Sequence, residues 1–558
     1  MNYLRSTIFG FSVVILATMA LVLNAGVVQA EEKGEIVHDA EHYILLEQHG
    51  EKWAAEDTEL DKKLEALREK YGKPPNIVHI LFDDTSTGEV GTALANKIRG
   101  YDTPNMNRMA DEGMTFARMY TEPSCTPSRN SLQTGRHPVR TGMYKVGFPV
   151  DAYGIGDDEV TIAEVLSKAG YATGFFGKWH LGDIEQSYAT NQGFDEAMFS
   201  LANQGPPSFF NEEGEKAGFS WGYTKGAWDQ KYAIDQQFRP YGWINYVEGK
   251  KGGKVREWED NSVESYRKSK AVIKDHTIDF IRRHAKSDQP FYVAYWPMIP
   301  FDFSAVGQDL TTSAQTTWAQ NMELLDSYIG EIMAELKKQG ISENTLVVCM
   351  ADNGPMKEAE GFGAEYIFRG GKGQHLEGGI RVAAFAQWPG VIKADSTVGD
   401  IIHEVDLYTT FARLGGAMKH IPTDRIIDGV DQTSLLLNGD GYSRRDYVHV
   451  YTGNVLAASI KQQFKRAWLG DRPGLVGNAF YDIYRDPREN FPAMMQLLWA
   501  WPNFDHMRAR HEAGFKKYPK KEAPRDVPFT GIEKISEETK RLQEYVRQAL
   551  IAAGHIEE

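Results

Sequence analysis

Apolar residues along this chain gather into short unbroken runs more often than they alternate with polar ones. "NIVHILFDD" (76–84), "YATGFFG" (171–177), "PFYVAYW" (290–296) and "NTLVVCMADNG" (344–354) each read as a buried strand. Helical spacing separates them. Trp318, Met322, Leu325, Ile329 and Met333 recur every three or four residues within 311–340. "DTPNMNRMADEG" offers Thr103 as N-cap, Pro104 at the first helical position and Gly113 as the stop, and "TIAEVLSKAG" reads as a helix closed by Gly170. Strands alternating with helices predict an α/β fold, with a large domain whose mostly parallel central sheet is flanked by helices.

The pattern differs at both ends of this core. Residues 31–75 form a charged, helix-favouring extension in which Ala54, Leu60, Leu64 and Leu67 suggest one apolar stripe, stopped by Pro74-Pro75. The large domain then covers 76–445. Over 446–558, "RRDYVHVYTGN" and "AFYDIYRDPREN" are short strands and turns, with no long helix until 535–554, and predict a smaller C-terminal α+β domain. The aromatic-rich stretch 206–243 reads as a long insertion, either a packed lobe or the wall of a pocket for an aromatic substrate.

The polar residues that end the strands carry candidate chemistry. Asp83-Asp84, Lys178 with His180, and Asp352-Asn353 each fall just past a predicted strand end. Ligands of such sheets bind beyond the carboxyl ends of the strands, so three separate segments place polar groups on one rim. Three carboxylates and an amide carbonyl are hard oxygen donors suited to Ca²⁺ or Mg²⁺, and the sequence shows no clustered His/Cys set for zinc.

Composition narrows the class. Residues 1–30 hold one charge, Arg5, then an apolar run from Ile8 to Leu23 and Val28-Gln29-Ala30 before Glu31-Glu32. That is the pattern of a cleaved signal peptide, short for a membrane span. It predicts an exported chain, periplasmic or secreted, with no stable membrane insertion after signal removal. The formal net charge of −15 becomes −16 when Arg5 is lost. This acidic balance argues against nucleic-acid partners, and the basic stretch "KKYPKKEAPR" (516–525) reads as a solvated loop.

Two cysteines cannot build a disulfide framework. Cys349 lies in an apolar strand and reads as a small core residue. Cys125 in "EPSCTPSRNSLQTGRHP" is different. Thr126 as cap, Pro127 in the first turn and Gly135 near the stop place it immediately outside a helix N-terminus, where free N–H groups attract anions. Arg129, Lys178 and Lys372 add positive charge, so the physical target is a tetrahedral oxyanion, phosphate or sulfate. A thiolate is a poor ligand for hard Ca²⁺, and an oxygen nucleophile suits this setting better.

"CTPSR" resembles the Cys-x-Pro-x-Arg core of the sulfatases, in which the cysteine is oxidised to formylglycine. The remaining segments follow in order: "NIVHILFDD" and "VVCMADNG" resemble the two metal-binding segments of that family, "TGFFGKWHLG" its Gly-Lys-Trp-His segment, "FRGGKGQHLEGGIRV" the segment with the second substrate-binding lysine, and "FYDIYRDPREN" its C-terminal signature. The resemblance implies an alkaline phosphatase-like fold and a calcium-dependent arylsulfatase-type hydrolase acting on a small-molecule sulfate ester. It implies metal ligands Asp83, Asp84, Asp352 and Asn353 beside the matured Cys125, with His180 as base, Arg129 stabilising the hydrated aldehyde, and Lys178 and Lys372 on the sulfate. A formylglycine-generating maturation enzyme is the implied partner. The hydrated aldehyde has two hydroxyls. One attacks sulfur in line, and the other loses its proton so that sulfate is eliminated.

One departure matters. Many sulfatases carry Pro-His after the "PFYVAYW"-like strand, and that histidine protonates the leaving group; here Met298 follows Pro297. Methionine donates no proton. His375, three residues after Lys372, is a candidate replacement, and a phenolic leaving group would need little help. A phosphate or phosphonate ester hydrolase on the same scaffold and a non-catalytic sulfated-glycan binding protein are the competing readings.

Overall fold

The computed structural model describes residues 34–148, 150–202, 244–259, 263–300, 317–356, 367–438, 442–470 and 479–557. The signal segment and the aromatic stretch 206–243 lie outside the described residues. The chain begins with helix α1 (Ala40–Tyr71), capped by the Asp39 carboxylate and closed by Gly72 in the left-handed region. Its buried face runs through Leu45, Trp53, Leu60 and Leu64. Ala54, expected in that stripe, is exposed, because one step along a helix turns a side chain by about 100°.

The core elements follow as β1 (Asn76–Phe82), α2 (Cys125–Thr134), β2 (Ala172–Lys178), β3 (Glu196–Ser200), α3 (Val263–His284), β4 (Phe291–Trp296), α4 (Thr317–Lys338) and β5 (Thr345–Ala351). Strands β5-β1-β4-β2-β3 are neighbours in that order and all parallel, at the centre of an 11-stranded sheet. Six of the ten pairings in this sheet are parallel; the antiparallel ones lie toward its margins, through Ala384–Gln387 on one side and Tyr246–Lys250 on the other. Every residue of β1, β2, β4 and β5 is buried. This is why these strands show continuous apolar runs without alternation.

Register puts the strand ends level. Phe82 pairs with Ala351, Ile80 with Tyr295 and Gly177 with Trp296. The residues that follow therefore emerge along one edge: Asp83 from β1, Lys178 from β2, Met298 from β4 and Asp352 from β5.

A separate antiparallel sheet holds β6 (Tyr447–Thr452), β7 (Val455–Lys461), β8 (Phe464–Ala467) and β9 (Ala479–Asp482). Helix α5 (Trp501–Gly514) follows where no long helix was expected. Its buried positions are Phe504, Met507 and His511; a histidine in the apolar stripe and Pro502 in the first turn hide the periodicity. The end of the chain also departs from the expected division. Ile532–Glu533 pairs with Val255–Arg256 at the edge of the large sheet. Leu542, Val546 and Leu550 of α6 (Glu537–Ala552) then pack into the large core. Their spacing of four gives one apolar face, and that face needs the larger sheet to cover it. No described helix is long and apolar enough to cross a membrane.

Candidate active site

Helix α2 delivers Cys125 to the level strand ends. The structure shifts its start by two residues from the sequence expectation. Ser124 is the N-cap, Cys125 is the first helical residue, and the Ser128 N–H closes the first turn on the Ser124 carbonyl at 3.0 Å. Serine and threonine both cap helices, and proline is tolerated anywhere in the first turn because those N–H groups have no intrahelical acceptor. Every residue of α2 is buried, and Gly135 closes it at φ 66°. Both cysteines are free.

Arg129, one turn into α2, organises the rim. Its guanidinium donates to Asp83 Oδ1 at 2.6 Å, to Asp352 Oδ2 at 2.8 and 3.2 Å, and to the Lys178 carbonyl at 2.6 Å. Its carbon also lies 5.3 Å from the centre of the Trp296 ring. Lys178 Nζ reaches Asp83 Oδ2 at 3.0 Å, and Lys372 Nζ reaches both Asp84 oxygens at 2.7 and 3.0 Å. Three buried carboxylates thus meet three buried cations. Burial raises the Asp83 carboxyl to about 6, whereas at Asp352 burial is overcome by Arg129, Lys178 and Lys372, which hold it down at about 2. Burial raises the Cys125 thiol above its usual value, against the pull of the two lysines. Unmodified, it is a neutral thiol and a weak nucleophile.

Two site residues hold strained backbone. Asp84 and His180 adopt φ of 51° and 60°, a region that non-glycine residues enter at a cost repaid by the surrounding structure. Beside them, Gly177 cannot be replaced without moving a strand, because a Cβ there would lie 1.9 Å from the Trp296 carbonyl oxygen. His180 Nε2 is 2.7 Å from the Gly147 carbonyl, which only accepts, so Nε2 carries the proton. Nδ1 then holds the lone pair, buried and without a hydrogen-bond partner. Burial, reinforced by Lys178, keeps the ring pKa well below 6.5, so it is neutral at neutral pH. The Gly147 N–H in turn donates to Thr126 Oγ1 at 3.0 Å, tying His180 to the residue after Cys125.

The segment bearing Lys372 is stitched to both sides of the rim. Lys372 N–H donates to the Pro355 carbonyl at 2.8 Å and Gly373 N–H to the Pro123 carbonyl at 2.6 Å. His375 lies in the same segment and is buried. Met298 is also buried, and the adjacent Ile299 carbonyl accepts from the Asp83 N–H at 3.0 Å. The structure therefore gathers Asp83, Asp84, Arg129, Lys178, Lys372, Asp352 and Asn353 through direct contacts, with Cys125 and His180 joined through α2 and Gly147. Sequence reasoning missed Gly147 and Thr126. Gly147 acts through its backbone and Thr126 through a hydroxyl that the motif had marked as a helix cap, so neither had a distinguishing signal.

The donor set fits a hard cation. The Asn353 amide nitrogen donates to Asp84 Oδ1 at 2.7 Å and to the Gly354 carbonyl at 2.8 Å, leaving Asn353 Oδ1 buried without a hydrogen-bond partner. Three carboxylates and one such carbonyl are oxygen ligands of the type Ca²⁺ takes.

Comparison with known proteins agrees with this geometry. The chain is 33% identical to N-acetylgalactosamine-6-sulfatase of Mus musculus over 406 residues, covering 70% of this chain and 72% of that one. It is 29% identical to steryl-sulfatase of Rattus norvegicus, covering 75% and 85%, and 30% identical to the arylsulfatase of Hemicentrotus pulcherrimus, covering 69% and 66%. Among solved structures, the PsFucS1 sulfatase from Pseudoalteromonas sp. superposes with a TM-score of 0.75 at 29% identity, over 84% of this chain and 96% of that one. The fold is thus the alkaline phosphatase-like α/β architecture. The sulfatase family model matches residues 75–417, and the chain belongs to the sulfatase family as a sulfuric ester hydrolase.

Proposed function

We propose that this sulfatase is an exported, calcium-dependent, arylsulfatase-type hydrolase that acts through a formylglycine made from Cys125. The observation that carries the reading is the placement of a buried, neutral Cys125 at the start of α2, in one charge field with Arg129, Lys178 and Lys372. When present, the hydrated aldehyde supplies the oxygen that attacks sulfur and a second hydroxyl whose ionisation releases sulfate. A Ca²⁺ held by Asp83, Asp84, Asp352 and Asn353 supplies Lewis acidity to the reacting oxygens.

The chain's own residues do the rest. Lys178 and Lys372 bring ammonium N–H groups to the rim, where an anionic sulfate can share them with the carboxylates. The balance of three carboxylates and three cations means that a bound divalent ion leaves an excess of two positive charges, which favours an anionic ester and the charge that grows on it. His180 accepts a proton at Nδ1, because Gly147 occupies Nε2–H. Arg129 holds Asp83 and Asp352 in place and reaches the Lys178 carbonyl.

Relatives named for an amino-sugar sulfate, steryl sulfate and aryl sulfates leave the alcohol open. Met298 favours an aryl sulfate, since a phenol with a pKa of about 10 leaves without a proton more readily than an alkyl alcohol. Export rests on the signal-like residues 1–30. The test is a panel of aryl, steroid, sugar and alkyl sulfates, with phosphate esters beside them. The enzyme is produced with and without a formylglycine-generating partner and assayed in Ca²⁺ or chelator. Sulfate release that needs both partner and cation is expected. Equal turnover after complete cation removal, or a preference for phosphate esters, would overturn the proposal.

A further inference from the structure

Away from the active site, three distant parts of the chain converge on a second cluster of ionisable groups. Asp39 caps α1, His449 lies on β6 and His511 on α5, and all are buried. One carboxylate oxygen and one nitrogen from each ring lie within 4.8 Å of one another. His511 Nδ1 is 2.7 Å from Asp39 Oδ1, and His449 Nε2 is 3.8 Å from Asp39 Oδ2. The second distance is too long for a hydrogen bond, so His449 Nε2 points into the cluster, buried and without a hydrogen-bond partner. A buried polar atom left this way is destabilising unless a partner fills the gap.

The far side of each ring is anchored by a hydroxyl. His449 Nδ1 is 3.1 Å from Ser459 Oγ, and His511 Nε2 is 2.5 Å from Tyr451 Oη. When each hydroxyl accepts from the ring N–H, both lone pairs face Asp39. Metal-bound imidazoles are held in this manner, by an acceptor on the nitrogen that does not ligate. The two rings stack with centroids 3.9 Å apart, which fixes their orientation further.

Charge balance points the same way. Arg140 bridges Asp39 at 3.2 Å and Asp428 at 2.8 Å. Glu122 joins the network through His137, 2.7 Å away, whose ring centroid lies 6.1 Å from that of His511. Arg140 thus serves two buried carboxylates, while Glu122 is paired with His137. Beyond the Glu122–His137 pair, Asp39 and Asp428 exceed Arg140 by one negative charge, which a bound cation or a proton on the imidazoles of the cluster would balance.

We propose that Asp39, His449 and His511 form a second cation site, for a zinc-type transition metal, which pins α1 and α5 to the small sheet. Two imidazoles and one carboxylate are the donors such ions prefer, unlike the all-oxygen set at the strand ends. The sequence reading found no clustered ligands for zinc because these three residues are distant along the chain. The ion enters as the chain folds, since the assembled cluster has no exposed member, and it replaces the Asp39–His511 hydrogen bond.

The test uses the full-length chain produced in medium containing Co²⁺ or Zn²⁺ and then desalted. Metal content and the visible spectrum are measured for wild type, Asp84→Asn and His449→Gln. Wild type and Asp84→Asn should each retain about one equivalent of Co²⁺, with the intense visible bands of a nitrogen-ligated, low-coordinate ion, and His449→Gln should lose both. Folded wild type without bound Co²⁺ or Zn²⁺ would mean that protons carry the charge, and the proposal would be wrong. Retention of the bands by His449→Gln would overturn it equally. If His449→Gln fails to accumulate, the wild-type metal content alone decides.

Discussion

Replacing Arg129 with methionine fills much of the same space but removes every donor at the centre of the rim. Asp83 and Asp352 lose N–H groups at 2.6 to 3.2 Å, and the Lys178 carbonyl loses one at 2.6 Å. All three residues are fully buried, so water does not replace the lost bonds. Removing one partner of a buried ion pair costs about 3–5 kcal/mol, chiefly because the other charge is left unpaired. For a chain of this length, an unfolding entropy of about 1.2 kcal/mol/K near the transition converts that loss into a fall in Tm of about 2.5–4 °C. The fall should be largest in chelator. Ca²⁺ should recover part of it, because a cation compensates the same two carboxylates, so the Tm gain on adding Ca²⁺ should be greater in the variant than in wild type. Arg129→Lys should lie between the two, since one ammonium cannot span both carboxylates and the carbonyl. Calorimetry in chelator and in Ca²⁺, with aryl sulfate turnover alongside, measures each effect. An Arg129→Met protein whose Tm in chelator matches that of wild type would refute the reasoning, because the guanidinium would not be carrying the buried charge.

Cys125→Ser should leave almost no steady-state turnover under maturation by thiol oxidation, because serine lacks the second hydroxyl that releases sulfate; undiminished turnover would remove the formylglycine from the mechanism. Met298→His should raise kcat/KM for alkyl sulfates more than for nitrophenyl sulfate, and His375→Ala should do the reverse if His375 donates the proton. A plot of log kcat/KM against leaving-group pKa that is flat in wild type would count against both. Burial, assisted by Asp151, pushes the Asp183 carboxyl up to about 7 from an ordinary 3.8. With its folded pKa raised, its contribution to stability is fully present below about pH 4 and is lost as pH rises through about 7, a span worth up to about 4 kcal/mol. Asp183→Asn should flatten that part of the profile in urea unfolding between about pH 5 and pH 8; an unchanged slope would contradict the assignment.

The rim was legible in the sequence because burial on both faces leaves β1, β2, β4 and β5 as unbroken apolar runs, and the first polar residues after them mark the strand ends. Parallel pairing then aligns those ends, so Asp83, Lys178 and Asp352 meet without any local signal linking them. Less was visible where geometry depends on backbone or on chain-distant partners. The anchor of His180 is the Gly147 carbonyl, which every residue type possesses. The start of α2 moved because Ser124 and Thr126 are both good caps and only the fold chooses between them. Ile532–Glu533 is too short to announce a strand, yet it returns the end of the chain to the large sheet. The Asp39–His449–His511 cluster is assembled from three elements, and none of its members has a neighbouring ligand in sequence.

The central claim concerns the chemical identity of residue 125. Mass spectrometry of the tryptic peptide from Met119 to Arg129 tests it directly, on enzyme whose aryl sulfate turnover is measured from the same preparation. Conversion of the thiol to the aldehyde lowers the peptide mass by about 18 Da, and the specific activity should rise in proportion to the converted fraction across preparations of differing maturation. A preparation with full activity and an unmodified Cys125 peptide would contradict the account.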